Sequence, residues 1–138
     1  MIPKFRFYNI KLRTIYKVIN VDLYNEQVDC LLEKQYSDVI TWDIKDGVLM
    51  QSTGLKDKNG KEIFEGDILK ENSMVGIVKF GRYLDYEYIQ YGLDGWLFSE
   101  KLKLGFVDTP LTEYVLDPHC SIEVIGNKFE HPHLLEEE

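Results

Sequence analysis

The chain has 138 residues, with 16 Lys plus Arg against 24 Asp plus Glu for a formal charge of −8, and 44% hydrophobic and 13% aromatic residues. This length suits one compact domain, or two small subdomains sharing a core. The apolar content excludes a disordered chain, the spread of charges excludes a membrane-spanning segment, and the acidic total argues against a general phosphate-binding surface. The two cysteines, Cys30 and Cys120, form no C-x-x-C motif and supply neither a disulfide framework nor a redox signature. The start of the chain, Met1 to Arg6, lacks the apolar core of a signal peptide, so a cytoplasmic location is expected.

Charge is uneven along the chain. Lys4, Arg6, Lys11, Arg13 and Lys17 face no acid in residues 1–20, whereas residues 108–138 hold eight acids and one Lys. Such ends pair within a fold, pair between subunits, or stay solvated. Over 11–33, Ile19, Val21 and Leu23 alternate with polar residues, and the β-branched content favours strand over helix. A turn at Tyr24-Asn25-Glu26, followed by Val28 to Leu32, completes a first hairpin. Residues 34–47 read as a polar connection carrying the short apolar piece Val39-Ile40-Thr41-Trp42.

From Val48 onward, glycines at 54, 60, 66, 76, 81, 92 and 95 separate short runs such as Ile77–Phe80 and Trp96–Phe98, the pattern of a small barrel or sandwich. Asp57-Lys58-Asn59-Gly60 suits a tight turn, and Asp94-Gly95 predicts a second. No long amphipathic helix is expected from 48 to 107. Ser121 to Gly126 reads as a last strand stopped by glycine, and Leu134-Leu135 as a helical turn in an acidic tail.

The run Leu49 to Leu69, with its Thr53-Gly54-Leu55, Asp57-x-Asn59-Gly60 and Glu65-Gly66-Asp67-Ile68 elements, closely resembles the central signature of the YopX family. A second resemblance lies in Ile125-Gly126-Asn127, Glu130-His131-Pro132 and Leu134-Leu135, and a shorter one in Lys4-Phe5-Arg6. The resemblance implies a small, mainly β protein encoded by bacteriophages and prophages, with a barrel-like core and no assigned activity, and it carries over no catalytic residue. Read from the residues themselves, Gly54 and Gly60 permit turns, Asn59 assists one, and Gly66 places a bulge that redirects the strand Ile63–Lys70. The competing reading is that oxygens of Thr53, Asp57, Asn59, Glu65 and Asp67 surround a ligand.

Other constellations are weaker. Asp57-x-Asn59-Gly60 matches three positions of a calcium loop, but Leu55 and Gly66 stand where carboxylates are needed. His119-Cys120 and His131-x-His133 lack the spacing of a zinc module, so no metal or other cofactor is expected. No nucleophile elbow or phosphate loop occurs. Tyr83, Tyr86, Tyr88, Tyr91, Trp96 and Phe98 crowd a predicted hairpin and form a candidate partner-binding face, against the alternative that they pack the core. Arg82, Asp85, Glu87 and Asp94 leave this face without the positive charge that single-stranded nucleic acid requires.

The expected architecture is mainly β: an SH3-like or related small barrel over 48–127, an N-terminal β hairpin region over 1–47 that packs on it, and a short acidic tail over 128–138. The expected function is noncatalytic, a phage-encoded module that self-associates or holds a phage or host protein and has no membrane partner. A single-stranded nucleic-acid-binding accessory protein and an enzyme with a site assembled from scattered residues are the alternatives.

Overall fold

A computed structural model describes residues 4–32, 38–83 and 93–136. Among them the strands form two open antiparallel sheets and no closed barrel, so the chain is mainly β as expected but without barrel closure. The chain divides into two compact units, Met1–Ser52 and Thr53–Glu138.

The first unit is a meander built on β1 (Phe5–Asn9), β2 (Thr14–Asp22), β3 (Gln27–Leu31), β4 (Val39–Asp43) and the start of β5 (Gly47–Lys56), in the spatial order β4-β3-β2-β1-β5. The expected hairpin is β2–β3, with Val21 opposite Val28 and Asp22 opposite Gln27. Its turn is fastened by the Asp22 carboxylate, which accepts hydrogen bonds from the Asn25 backbone N–H at 3.0 Å and from Asn25 Nδ2 at 2.8 Å. These bonds hold the Asp22 carboxyl below its ordinary pKa. The segment read from sequence as a polar connection contains β4, whose Ile40 pairs with Cys30 and whose Trp42 pairs with Val28. Cross-strand apolar contact outweighed the polar surroundings there. Fully buried Phe7, Val28 and Cys30 form the core of this unit, with Tyr16, Val18, Ile40, Trp42 and Leu49 packed around them.

Strand β5 crosses the boundary between the units: Gly47 to Gln51 pair with β1, and the residues beyond Ser52 belong with β6 (Glu62–Phe64). The second unit continues through β7 (Asp67–Glu71), β8 (Met74–Tyr83), β9 (Leu93–Leu102), β10 (Gly105–Pro110), a four-residue helix α1 (Thr112–Val115), β11 (Glu123–Asn127) and a 3-10 turn at Pro132–Leu135. Its sheet runs β10-β9-β8-β7-β11. Ile63, Leu69, Val78, Phe98, Leu111 and Ile122 are its buried core. The closing helical turn matches the sequence reading, and the last strand is present but runs through Gly126 to Asn127, which pair with Ile68 and Asp67, instead of stopping at the glycine. Asp94-Gly95 does not: it lies within β9, paired with Arg82 and Gly81 of β8, because the ladder continues past the dipeptide. Among the described residues no helix is long and apolar enough to cross a membrane.

Candidate functional site

Asp57 is the best-connected side chain of the signature. It is buried at the turn after β5, and its Oδ1 accepts hydrogen bonds from the backbone N–H groups of Asn59 and Lys61, both at 2.9 Å. Its Oδ2 accepts a third from Val124 N–H, also at 2.9 Å, across 67 positions of sequence. Two backbone bonds run alongside, Asp57 N–H to Lys61 O at 2.9 Å and Lys58 N–H to Ile122 O at 3.0 Å. The carboxylate therefore closes the β5–β6 turn and ties it to β11. Charge-assisted bonds of this kind are the stronger class, and both oxygens are committed to them. Gly60 completes the turn at φ 80°, the left-handed region that glycine enters without strain.

The other signature residues also serve the chain's own backbone. Thr53 Oγ1 donates to Ile63 O at 2.7 Å and accepts from Leu55 N–H at 3.0 Å, bracing β5 against β6. Gly54 lies inside β5 at φ 77° rather than in a turn. Glu65 and Gly66 occupy the link between β6 and β7, so the expected single bulged strand is two strands joined at a corner. Asp67 is buried, and its Oδ2 accepts from Phe64 N–H at 2.8 Å across that corner. Gly66 N–H donates to Val78 O, and Lys128 N–H donates to Gly66 O, each at 2.9 Å. The oxygens of Thr53, Asp57 and Asp67 in these bonds face peptide groups. That arrangement favours the structural reading of the motif.

The C-terminal motif forms a second lock, one not foreseen in the sequence. Asn127 Oδ1 accepts from Phe129 N–H at 3.1 Å and Glu130 N–H at 2.8 Å, while its Nδ2 donates to Glu130 Oε1 at 3.0 Å. His131 Nδ1 accepts from Asn127 N–H at 3.2 Å. The His131 ring lies so close to Gly126 that a Cβ there would meet Nδ1 at 2.8 Å, which explains the glycine. His131 is thus part of the lock and not a loose tail residue. The readable signal is Asn127 itself, because an Asn side chain accepts from the backbone N–H two residues on, the Asx turn. Among the described residues no group of three or more His, Cys, Asp or Glu is arranged to hold a metal ion.

The aromatic candidates separate. Phe98 is fully buried and meets Tyr114 edge-on with ring centroids 5.1 Å apart, which removes it from any exposed face. Trp96 is half-buried against the same core and makes an edge contact at 5.1 Å with the exposed Phe80. Tyr86, Tyr88 and Tyr91 lie outside the described residues, and Tyr83 is described by its backbone alone.

Two surface features were not read from the sequence. In the first unit an open concavity of about 640 Å³ is lined by Asn9, Ile10, Lys11, Leu12, Trp42, Lys45 and Asp46. It offers apolar walls and a mixed-charge rim of Lys11, Lys45 and Asp46. In the second unit the β9–β10 hairpin exposes Leu102, Leu104, Phe106 and Val107, with Leu104 99% and Phe106 54% exposed. Beside them, burial raises the Asp108 carboxyl, but hydrogen bonds from Lys79 and Ser99 and the Lys79 charge outweigh it and hold the group below its ordinary pKa. The Lys79–Asp108 ion pair measures 2.9 Å.

Fold and motif together define a small all-β protein whose signature residues fasten its own backbone. The chain belongs to the YopX protein family, whose model matches residues 4–136. It is also similar to protein EF1440 from Enterococcus faecalis, whose crystal structure matches with a TM-score of 0.52 at 26% identity, covering 99% of each chain. No curated protein matches.

Proposed function

We propose that this chain is a phage- or prophage-encoded, noncatalytic interaction module that works in the host cytoplasm and associates with copies of itself. The observation that supports this reading is the exposed apolar hairpin of β9 and β10, where Leu102, Leu104, Phe106 and Val107 face water at the edge of a sheet. Exposed apolar side chains along an unpaired sheet edge are a feature of association surfaces. The signature adds to the argument by elimination, since its Thr53, Asp57 and Asp67 side chains bond within the fold. Light scattering over a concentration series tests the reading. It predicts a mass that rises above the monomer by the high-micromolar range, and rises further with added salt, because two chains of charge −8 repel each other. A monomer throughout overturns it. Salt acts in the opposite sense on binding to nucleic acid, where phosphate contacts weaken as salt rises.

A further inference from the structure

Building on the self-association reading, we infer that β10 is the contact strand and that it pairs antiparallel with β10 of a second copy about a two-fold axis through Val107. Strand β10 ends its sheet, and among the described residues no strand pairs with its outer side. The register and hydrogen bonding fix which groups that side offers. Leu111 N–H donates to Trp96 O at 3.0 Å, and β10 pairs with β9 from Gly105 opposite Leu102 to Pro110 opposite Leu97. In an antiparallel ladder both peptide groups of a residue point the same way and alternate with its neighbours. The backbone groups of Gly105, Val107 and Thr109 therefore point toward β9, and those of Phe106, Asp108 and Pro110 point outward. Pro110 agrees with this, because a residue with no N–H belongs on the outer side of an edge strand.

Two outward residues of one copy must meet two of the other for new backbone bonds to form. Centring on Val107 sets Phe106 against Asp108 of the second copy and Asp108 against its Phe106, giving two reciprocally bonded pairs. Val107 then meets its own counterpart in the closer, non-hydrogen-bonded arrangement, at a Cα separation of about 4.5 Å. No like charges face one another in this register, whereas centring on Asp108 opposes two carboxylates. The Asp108 charge is already matched by Lys79 within its own sheet. Edges are normally guarded by charged side chains, a bulge or Pro, and in β10 those guards, Asp108 and Pro110, lie in the second half and leave Gly105-Phe106-Val107 open.

Val107 gives a clean test, because it lies opposite Glu100 of β9 and is 48% exposed. Val107→Lys keeps a favourable neighbour within the chain while placing two ammonium groups face to face across the axis. The expected result is a dimer dissociation constant weakened by roughly tenfold or more, with an unchanged circular dichroism spectrum. Mixing Val107→Lys with Val107→Glu restores association in a mixed dimer. As a second measurement, Val107→Cys forms a disulfide between copies under mild oxidation, while Leu23→Cys, exposed in the other unit, does not. If the wild-type chain dimerises but Val107→Lys dimerises equally and Val107→Cys crosslinks no faster than Leu23→Cys, the strand assignment is overturned and self-association stands. If the wild type never dimerises, both fall.

Discussion

Each unit has its own apolar core, and the two differ in where their side-chain bonds go. The first, Met1–Ser52, is a meander with an apolar core of Phe7, Val28 and Cys30, and its side-chain bonds stay within one turn, Asn9 to Leu12 and Asp22 to Asn25, or join neighbouring strands, Asp29 to Asn20 and Thr41. The second, Thr53–Glu138, has its own apolar core, but its ends are fastened by directed bonds: Asp57 to Val124, Asp67 to Phe64, and Asn127 to Phe129 and Glu130. Apolar contact tolerates exchange between residues of similar volume, whereas a carboxylate accepting from three peptide N–H groups on both oxygens loses at least one bond on any exchange but Glu. This difference explains why a motif is visible in the second unit and almost none in the first.

Substitutions that damage one kind of bonding sharpen the comparison. Phe7→Ala empties the centre of the first core and costs about 3–5 kcal/mol; chemical denaturation measures the loss, and amide exchange accelerates first at Val28 and Cys30. Asp57→Ala removes the acceptor of three N–H groups, two of them at exposed residues that water can reach, and costs about 2–3 kcal/mol. Here exchange accelerates first at Val124 and Lys58. If both variants open the same amides, the distinction between the units fails.

Smaller effects follow. Gly126→Ala pushes a methyl into the His131 ring and costs about 1–3 kcal/mol in a melting experiment, since ring and backbone must shift together. Gly60→Ala meets no atom within 4 Å, so its cost of about 1–2 kcal/mol is that of holding a side chain at φ 80°. The mildest probe concerns Cys30, whose thiol is pushed up from 9.0 to about 11, by burial first and by the Asp29 carboxylate second. The folded thiol keeps its proton where an unfolded one loses it, so this contribution to stability is full below pH 9 and declines as pH rises toward 11. Thiolate reagents at pH 8 accordingly modify half-buried Cys120 before buried Cys30.

Much of this fold was legible in the residues. Alternation located the β2–β3 hairpin, Asp57 to Gly60 located a turn, and Ser121 to Gly126 located the final strand, since each depends on neighbours in sequence. Strand β4 was hidden because four residues among polar ones look like a loop until Cys30 and Val28 lie beside them. Asp94-Gly95 misled for the same reason, its local preference for a turn being overridden by pairing with β8. The role of Asp57 was half legible: its turn is local, but the bond to Val124 spans 67 positions and no spacing rule reaches that far. Edge strand β10 escaped notice because exposure is a property of sheet order, which only the assembled fold displays.

Signature residues hold the fold, and on our proposal association lies in β10 instead. Sedimentation velocity on folded Asp57→Asn, at a temperature well below its melting transition and over the same concentrations as wild type, tests it most directly. The prediction is a lowered melting temperature with an association constant unchanged within about twofold. A variant that folds but stays monomeric where wild type associates would contradict the claim and place the signature in the interface.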